Sequence, residues 1–459
     1  MDCTPDLSHQ EQLSVVLRVV NGESSKGVSI SEHFVGFLNV LDTTGKGLCE
    51  SFLGHLETLG LDIANCRGQS YDNGSNMQGN KQGVQKRVLD MNNKALSVPC
   101  GSHTLNIVVG DAAKSSMTSI SFFGLLQRLY TLFSSSVNRW AILTEHVKNL
   151  TVKVLSTTRW ECRVDSVKAV RYQLPELVNA LSALIEYATE KRDADVVSTA
   201  ASICKEMQTW PFILCTIVWY NVLFQINKVS KMLQSPQVSI ETLRRETRGV
   251  TEFLEEYREK GLTSAQTDAR EIAEKLKVEM TWPEVRQRRA ARQFEYEGKE
   301  QTESTAEEHF KRDFFLVLVD TAVVTIKERF SQMESFHELY GFLYTIDEMR
   351  SSEQKGKLDE CCQRLELKMH DIDAEDLVLE VKGANTRDRI TKPSCLVNRP
   401  WKLRTNDTLD IFTEVLCVSE CPMRRHLASR SRCSDYKDLR GENRVKGPHI
   451  CLRLGPPNY

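Results

Sequence analysis

Several groups of residues in this 459-residue chain have types and spacings that could do chemistry. Cys100-Gly101-Ser102-His103 has the Cys-x-x-His spacing of half a zinc site, but no second pair lies nearby to close a tetrahedral set. Without that pair, His103 reads as a helix-start histidine packed against a sheet. Cys417, Cys421, His426 and Cys433 form a looser cluster that resembles a metal knuckle only vaguely. Arg286-Gln287-Arg288-Arg289-Ala290-Ala291-Arg292 suits nuclear import or phosphate contact, and equally a solvated helix face. Asp72 stands in the turn Asp72-Asn73-Gly74-Ser75, where an aspartate either caps the turn by accepting backbone N–H bonds or, with glycine leaving room, meets a ligand.

The elements that must position these residues alternate over the first hundred positions. Gln12 to Val20 and Glu32 to Leu41 are rich in Val, Leu and Phe and suit an antiparallel strand pair. A helix over Gly47 to Leu59, a strand over Ile63 to Tyr71, a helix from Met77 to Met91 and a short strand over Lys94 to Pro99 follow. Ser102 can cap the next helix. This β-β-α-β-α-β-α order predicts a mixed sheet flanked by helices, an α+β class. From about Ser121 to Arg350 the pattern is all-helical, with helices over Leu174 to Lys191, Val196 to Met207, Pro211 to Gln234 and Val238 to Lys260. An exposed charged loop near Gln293 to Thr305 interrupts it, and helix resumes from Ala306 to Arg329 with Phe310, Phe314, Phe315 and Val319 on one side. Beyond about Val381, prolines, arginines and short apolar runs predict a poorly ordered basic tail with few contacts. The domain division is therefore 1–120, 121–380 and 381–459.

Composition narrows the class. Hydrophobic residues make up 41% and charged residues 27%, as in soluble globular chains. A formal net charge of −2 supplies no bulk field toward nucleic acid, so any such contact must be local. Fourteen cysteines without repeated spacing, behind a polar, acidic start, read as reduced thiols of a nuclear or cytoplasmic protein. Trp210 to Ile226 is apolar enough to suggest a membrane span, but it is about one turn short and carries Pro211, Asn221 and Gln225. A buried bundle helix is the expectation, as is core packing for Trp160, Trp210 and Trp219.

Seven segments carry a family resemblance in order: Asp2-Cys3-Thr4-Pro5-Asp6 leading into Glu11-Gln12-Leu13-Ser14-Val15-Val16-Leu17-Arg18; Gly68 to Met77; Cys100 to Asn106; Thr158-Arg159-Trp160; Trp219 to Gln225; and Arg292 to Tyr296. Together they resemble hAT-type transposase-derived proteins of the zinc finger MYM-type protein 1-like group, through to about residue 380. The resemblance implies an RNase H-like core interrupted by a large helical insertion. In that core carboxylates hold two Mg²⁺ or Mn²⁺ ions for phosphodiester cleavage and strand transfer. Asp2 and Asp72 match the family's first two catalytic aspartates, and His103 falls near the pocket. The chain departs from the pattern in three ways. Asp2 is the second residue, so its supporting strand is expected to be largely missing. No third-acid motif occurs, although Glu328, Glu334 and Glu348 lie on late helices. The amino-terminal zinc-finger array and the carboxy-terminal dimerisation region are not found. The expectation is a degenerate or domesticated, catalytically inactive transposase relative. DNA or protein would be its partner, with no membrane association and no cofactor unless activity persists. An active metal-dependent nuclease and a helical protein-interaction module are the alternatives.

Overall fold

The computed structural model describes residues 4–5, 11–21, 29–71, 74–79, 81–98, 101–155, 161–233, 240–282, 305–345, 349, 355–383 and 449–454. They fall into two compact units. One is made of residues 1–104, 230–247 and 328–459, the other of 105–229 and 248–327.

The first unit is built on a six-stranded sheet: β1 (Thr4–Pro5), β2 (Glu11–Asn21), β3 (Ser29–Asn39), β4 (Cys66–Ser70), β5 (Leu96–Ser97) and β6 (His449–Leu454). β2 forms because its apolar residues alternate: Leu13, Val15, Leu17 and Val19 are all at most 4% exposed on one face. β2 and β3 pair antiparallel as expected, and the register shifts between Val15 and Val16, where Val35 is the extra residue. Gly36, at φ 149°, gives that bulge a backbone conformation that side chains disfavour. Arg18 reaches its cross-strand partner Glu32 at 2.5 Å, so the one basic residue on the strand is neutralised at the sheet.

The other edge of β2 is where the structure departs from the sequence expectation. Residues 449–454, inside the segment expected to make few contacts, pair antiparallel with β2 and parallel with β4. For these six residues that expectation does not hold. Their register sets Ile450, Leu452 and Leu454 opposite Val19, Leu17 and Val15, the buried positions of β2. β1 pairs with Glu11 and Gln12, at the start of β2. The resulting order is β3-β2-β6-β4-β5, with β6, β4 and β5 mutually parallel.

α1 (Gly45–Thr58) covers the core with Leu48, Cys49, Phe52 and Leu56, started by the Thr44 hydroxyl accepting the Gly47 N–H at 3.2 Å. The single helix expected over Met77 to Met91 is two, α2 (Ser75–Gln78) and α3 (Val84–Met91). The break falls at Gly83, where a Cβ would come 2.5 Å from the Gly79 nitrogen: the chain folds back on itself too closely for a continuous helix. Strand β5 has only two residues, and α4 (Gly101–Lys114) starts before Ser102. That serine is therefore inside the first turn rather than at the cap, and its hydroxyl hydrogen-bonds Ser230 at 3.1 Å. Late helices Lys355–Met369 and Ala374–Gly383 belong to this unit, and Asp371 between them binds both Arg67 (2.7 Å) and Lys94 (2.9 Å).

The second unit is helical: α5 (Met117–Ser134), α6 (Val137–His146), α7 (Glu161–Glu190), α8 (Ala194–Met207), most of α9 (Trp210–Leu233) and of α10 (Ile240–Leu276), and α11 (Ala306–Phe310). A π-helical stretch, Lys311–Leu316, joins α11 to α12 (Val317–Tyr340). Trp210 to Ile226 lies in one helix. Its Ile213, Leu214, Ile217, Val218, Trp219, Val222 and Leu223 are fully covered, as a bundle-core helix requires. It is also the one described helix long and apolar enough to cross a membrane, with 67% of the relevant window buried inside the protein. Trp219 meets Phe123 edge-on at 4.7 Å, and Phe122 meets Phe212 at 5.4 Å. The expected apolar side of residues 310–319 is present too: Phe314, Phe315 and Val319 are 0% exposed and Phe310 8%.

Candidate functional site

In a parallel sheet, ligands are met beyond the carboxyl ends of the strands, where loops converge and helices begin. β4 and β5 are parallel neighbours in register Gln69 to Ser97, so the chain leaves both at the same end of the sheet. All five residues of β4 are buried, as is Tyr71 after it. The Val98 N–H donates to the Gln69 carbonyl at 3.0 Å, tying the two exits together. The chain leaving β4 leads to Asp72, and the chain leaving β5 leads to the first turn of α4, which carries the half-buried His103. The topology thus brings the segments flanking two sequence-derived site residues to one sheet end. Asp72 itself lies outside the described residues, as do Asp2 and Cys100.

Close backbone packing sets the described residues that follow against the start of α1. A Cβ on Gly45, at the start of α1, would come 2.3 Å from the Gln82 carbonyl oxygen and 2.8 Å from that of Asn76. Asn76 donates its side-chain amide to the Thr43 carbonyl at 2.7 Å, and Met77 is inserted into the core at 1% exposed. Just before α1, Asp42 accepts the Thr44 N–H at 2.9 Å, and that hydrogen bond holds its carboxyl below its ordinary value. Within the sheet, the buried Gln69 carboxamide donates to the Ala95 carbonyl at 2.8 Å and so braces β4 against the approach to β5.

Of the late-helix acids, Glu334 is engaged by Arg244 through two 3.0 Å contacts to its carboxylate oxygens, and Glu328 is exposed on α12. Glu348, the run 286–292, Trp160 and the cluster Cys417, Cys421, His426 and Cys433 lie outside the described residues. Among the described residues no three His, Cys, Asp or Glu side chains gather as a set able to hold a metal ion. The described residues alone thus supply no ligand set for a two-metal centre; Asp2 and Asp72 lie outside them.

One polar constellation escaped the sequence reading. Arg171 on α7 donates to Asn221 Oδ1 at 3.0 Å and to Asp268 at 3.2 Å, and its guanidinium lies 4.3 Å from the Tyr220 ring centre. Asn221 in turn donates to the Tyr257 hydroxyl at 3.3 Å, a group whose pKa burial pushes up. The available signal was the spacing of Tyr220 and Phe224, one turn apart in a strongly apolar helical run.

Comparison with known proteins gives these features a context. Residues 1–83 match the family DUF4371, described as "ZMYM1/FAM200, RNase-like domain". A human protein named 52 kDa repressor of the inhibitor of the protein kinase is 23% identical over 348 residues, which cover 72% of this chain and 44% of that protein. The mouse protein of the same name is 24% identical over 349 residues, with the same shares. The chain thus spans less than half the length of the curated relatives it matches. Its amino-terminal sheet segment is similar to an RNase-like domain, and the similarity to these repressors reaches well beyond that segment.

Proposed function

We propose that this chain is a transposase-derived protein of the hAT type, related to the zinc finger MYM-type protein 1 group, that binds nucleic acid without cutting it. The carrying observation is the RNase-like match over residues 1–83, the segment that supplies β1 to β4 and the turn after β4. The two repressor relatives support a domesticated role over transposition. In this reading Asp2 and Asp72 are remnants of an acid set without an identified third member. The helical segments are the insertion of the ancestral enzyme, and the protein works inside the cell, in nucleus or cytoplasm.

A chain of net charge −2 binds nucleic acid through a few local cations, so affinity falls with salt by a modest power. The test is titration of the purified chain with labelled single-stranded and duplex DNA at two salt concentrations. Binding of either that weakens as salt rises supports the reading. Absence of binding to both at the lower salt overturns it and favours a protein-interaction role.

A further inference from the structure

Most large apolar side chains of α7 and α9 are buried; among the described residues of these two helices only Tyr172 (55%) and Phe224 (48%) are large hydrophobics left exposed. They are linked through Tyr220: Tyr172 and Tyr220 share a hydroxyl–hydroxyl hydrogen bond of 3.0 Å and an edge-on contact, and Tyr220 and Phe224 are stacked at an interplanar angle of 22°. Arg171, held by Asn221 and Asp268, braces the Tyr220 ring from the protein side. The rings are therefore ordered before any partner arrives, which lowers the entropic cost of contact.

The backbone adds to this order. α7 kinks immediately after Tyr172: Gln173 has φ −134° and ψ 31°, and Pro175 follows. The kink is locked because the Gln173 amide donates to the Leu150 carbonyl at 2.7 Å and accepts the Asn149 and Leu150 N–H groups. Tyr172 thus sits at the end of a fixed helical segment.

The flanking charges select the partner. Lys168, one turn before Tyr172, and Lys228, one turn after Phe224, are both exposed. On α9, Tyr220, Phe224 and Lys228 follow at intervals of four, a stripe about 12 Å long. Glu176, four residues after Tyr172, is exposed as well, but Gln173 between them has non-helical backbone angles; the acid beside the rings, Asp268, is paired with Arg171 at 3.2 Å. Two half-exposed rings offer about 200 Å² of apolar surface, far below the roughly 1,000 Å² of a stable protein interface, yet enough for one or two bases to stack.

We propose that Tyr172 and Phe224, held in place by Tyr220 between them, form a stacking platform for unpaired bases of single-stranded nucleic acid, with Lys168 and Lys228 contacting the backbone phosphates. This rests on the nucleic-acid reading above and gives it a location. The test uses the full chain and fluorescein-labelled oligothymidylate, with a duplex of equal length as the second arm. Tyr172→Ala and Phe224→Ala should each weaken oligothymidylate binding by roughly fivefold to a hundredfold, the range for losing one base stack, while Tyr172→Phe retains most of it. Lys228→Ala should reduce the slope of log affinity against log salt by about 0.7. Unchanged circular dichroism and melting of the variants separate these losses from misfolding. Oligothymidylate binding that both alanine variants leave intact overturns the platform. Duplex binding without oligothymidylate binding also overturns it and leaves the broader reading standing, whereas no binding to either removes both.

Discussion

In the helical unit, the main packing is between successive helices: α5 meets α6, α6 meets α7 and α7 meets α8, with longer-range contacts such as Phe123 to Trp219 added to these. In the sheet unit the central neighbours come from opposite ends of the chain, with β6 at 449–454 between β2 at 11–21 and β4 at 66–70. The helical unit can therefore bury its apolar faces with local topology, while the sheet depends on a remote strand to satisfy two inner edges. Perturbations should separate accordingly, the helical unit responding to lost volume and the sheet to lost backbone pairing.

The largest expected effect is Trp219→Ala. This side chain is 0% exposed, and its removal should cost about 3–5 kcal/mol in urea unfolding. A loss below about 1 kcal/mol, as for a surface substitution, would show that α9 is not a core helix. Next is Leu452→Pro, which deletes a ladder donor at the position opposite Leu17 and Gln69. It should cost about 1–3 kcal/mol and speed hydrogen exchange at amides 15–20 and 66–70. Unchanged exchange there would remove β6 from the sheet and end the contrast between the two units. Asp371→Asn weakens the ion pairs that this carboxylate makes with Arg67 and Lys94; with the acid 35% exposed, screening limits the loss to about 1 kcal/mol in thermal unfolding.

The smallest effect concerns acid. Because the folded-state pKa of Asp42 is depressed by its bond from the Thr44 N–H, its contribution to stability is present above its ordinary value of 3.8 and is lost as pH falls through the lower folded value. Asp42→Asn should flatten that part of the acid-unfolding curve and leave stability near neutrality little changed. An unaltered curve would mean that the turn before α1 does not hold the charge.

What could be read beforehand follows the same division. β2 and β3 were legible because Leu13, Val15, Leu17 and Val19 alternate, and α9 because its apolar residues run nearly all round. The extent of α7 was not: a helix starting at Leu174 was the natural reading of Gln173 and Pro175, whereas the structure carries the helix from Glu161 through a kink. α10 runs to Leu276, past the expected Lys260, because Ala265, Ala269 and Ala273 bury a stripe too small to stand out as apolar. β6 was hidden because six residues among prolines and arginines give no local signal, and pairing across more than four hundred positions leaves no periodicity. At the candidate site, the shared sheet end of the β4 exit and α4 follows from the strand order, and His103 is placed there. Arg171 and its partners come from three helices whose juxtaposition only the fold supplies.

The central claim, nucleic-acid binding without cleavage, is tested most directly by incubating the purified chain with labelled single-stranded and duplex DNA in Mg²⁺ or Mn²⁺ and resolving the products. In-line attack needs every metal-holding acid in place, and in the proposed reading Asp2 and Asp72 are remnants of that set with no third member identified. The account predicts no strand cleavage or joining above background under conditions where binding is measured. Metal-dependent cleavage that Asp72→Ala abolishes would contradict it.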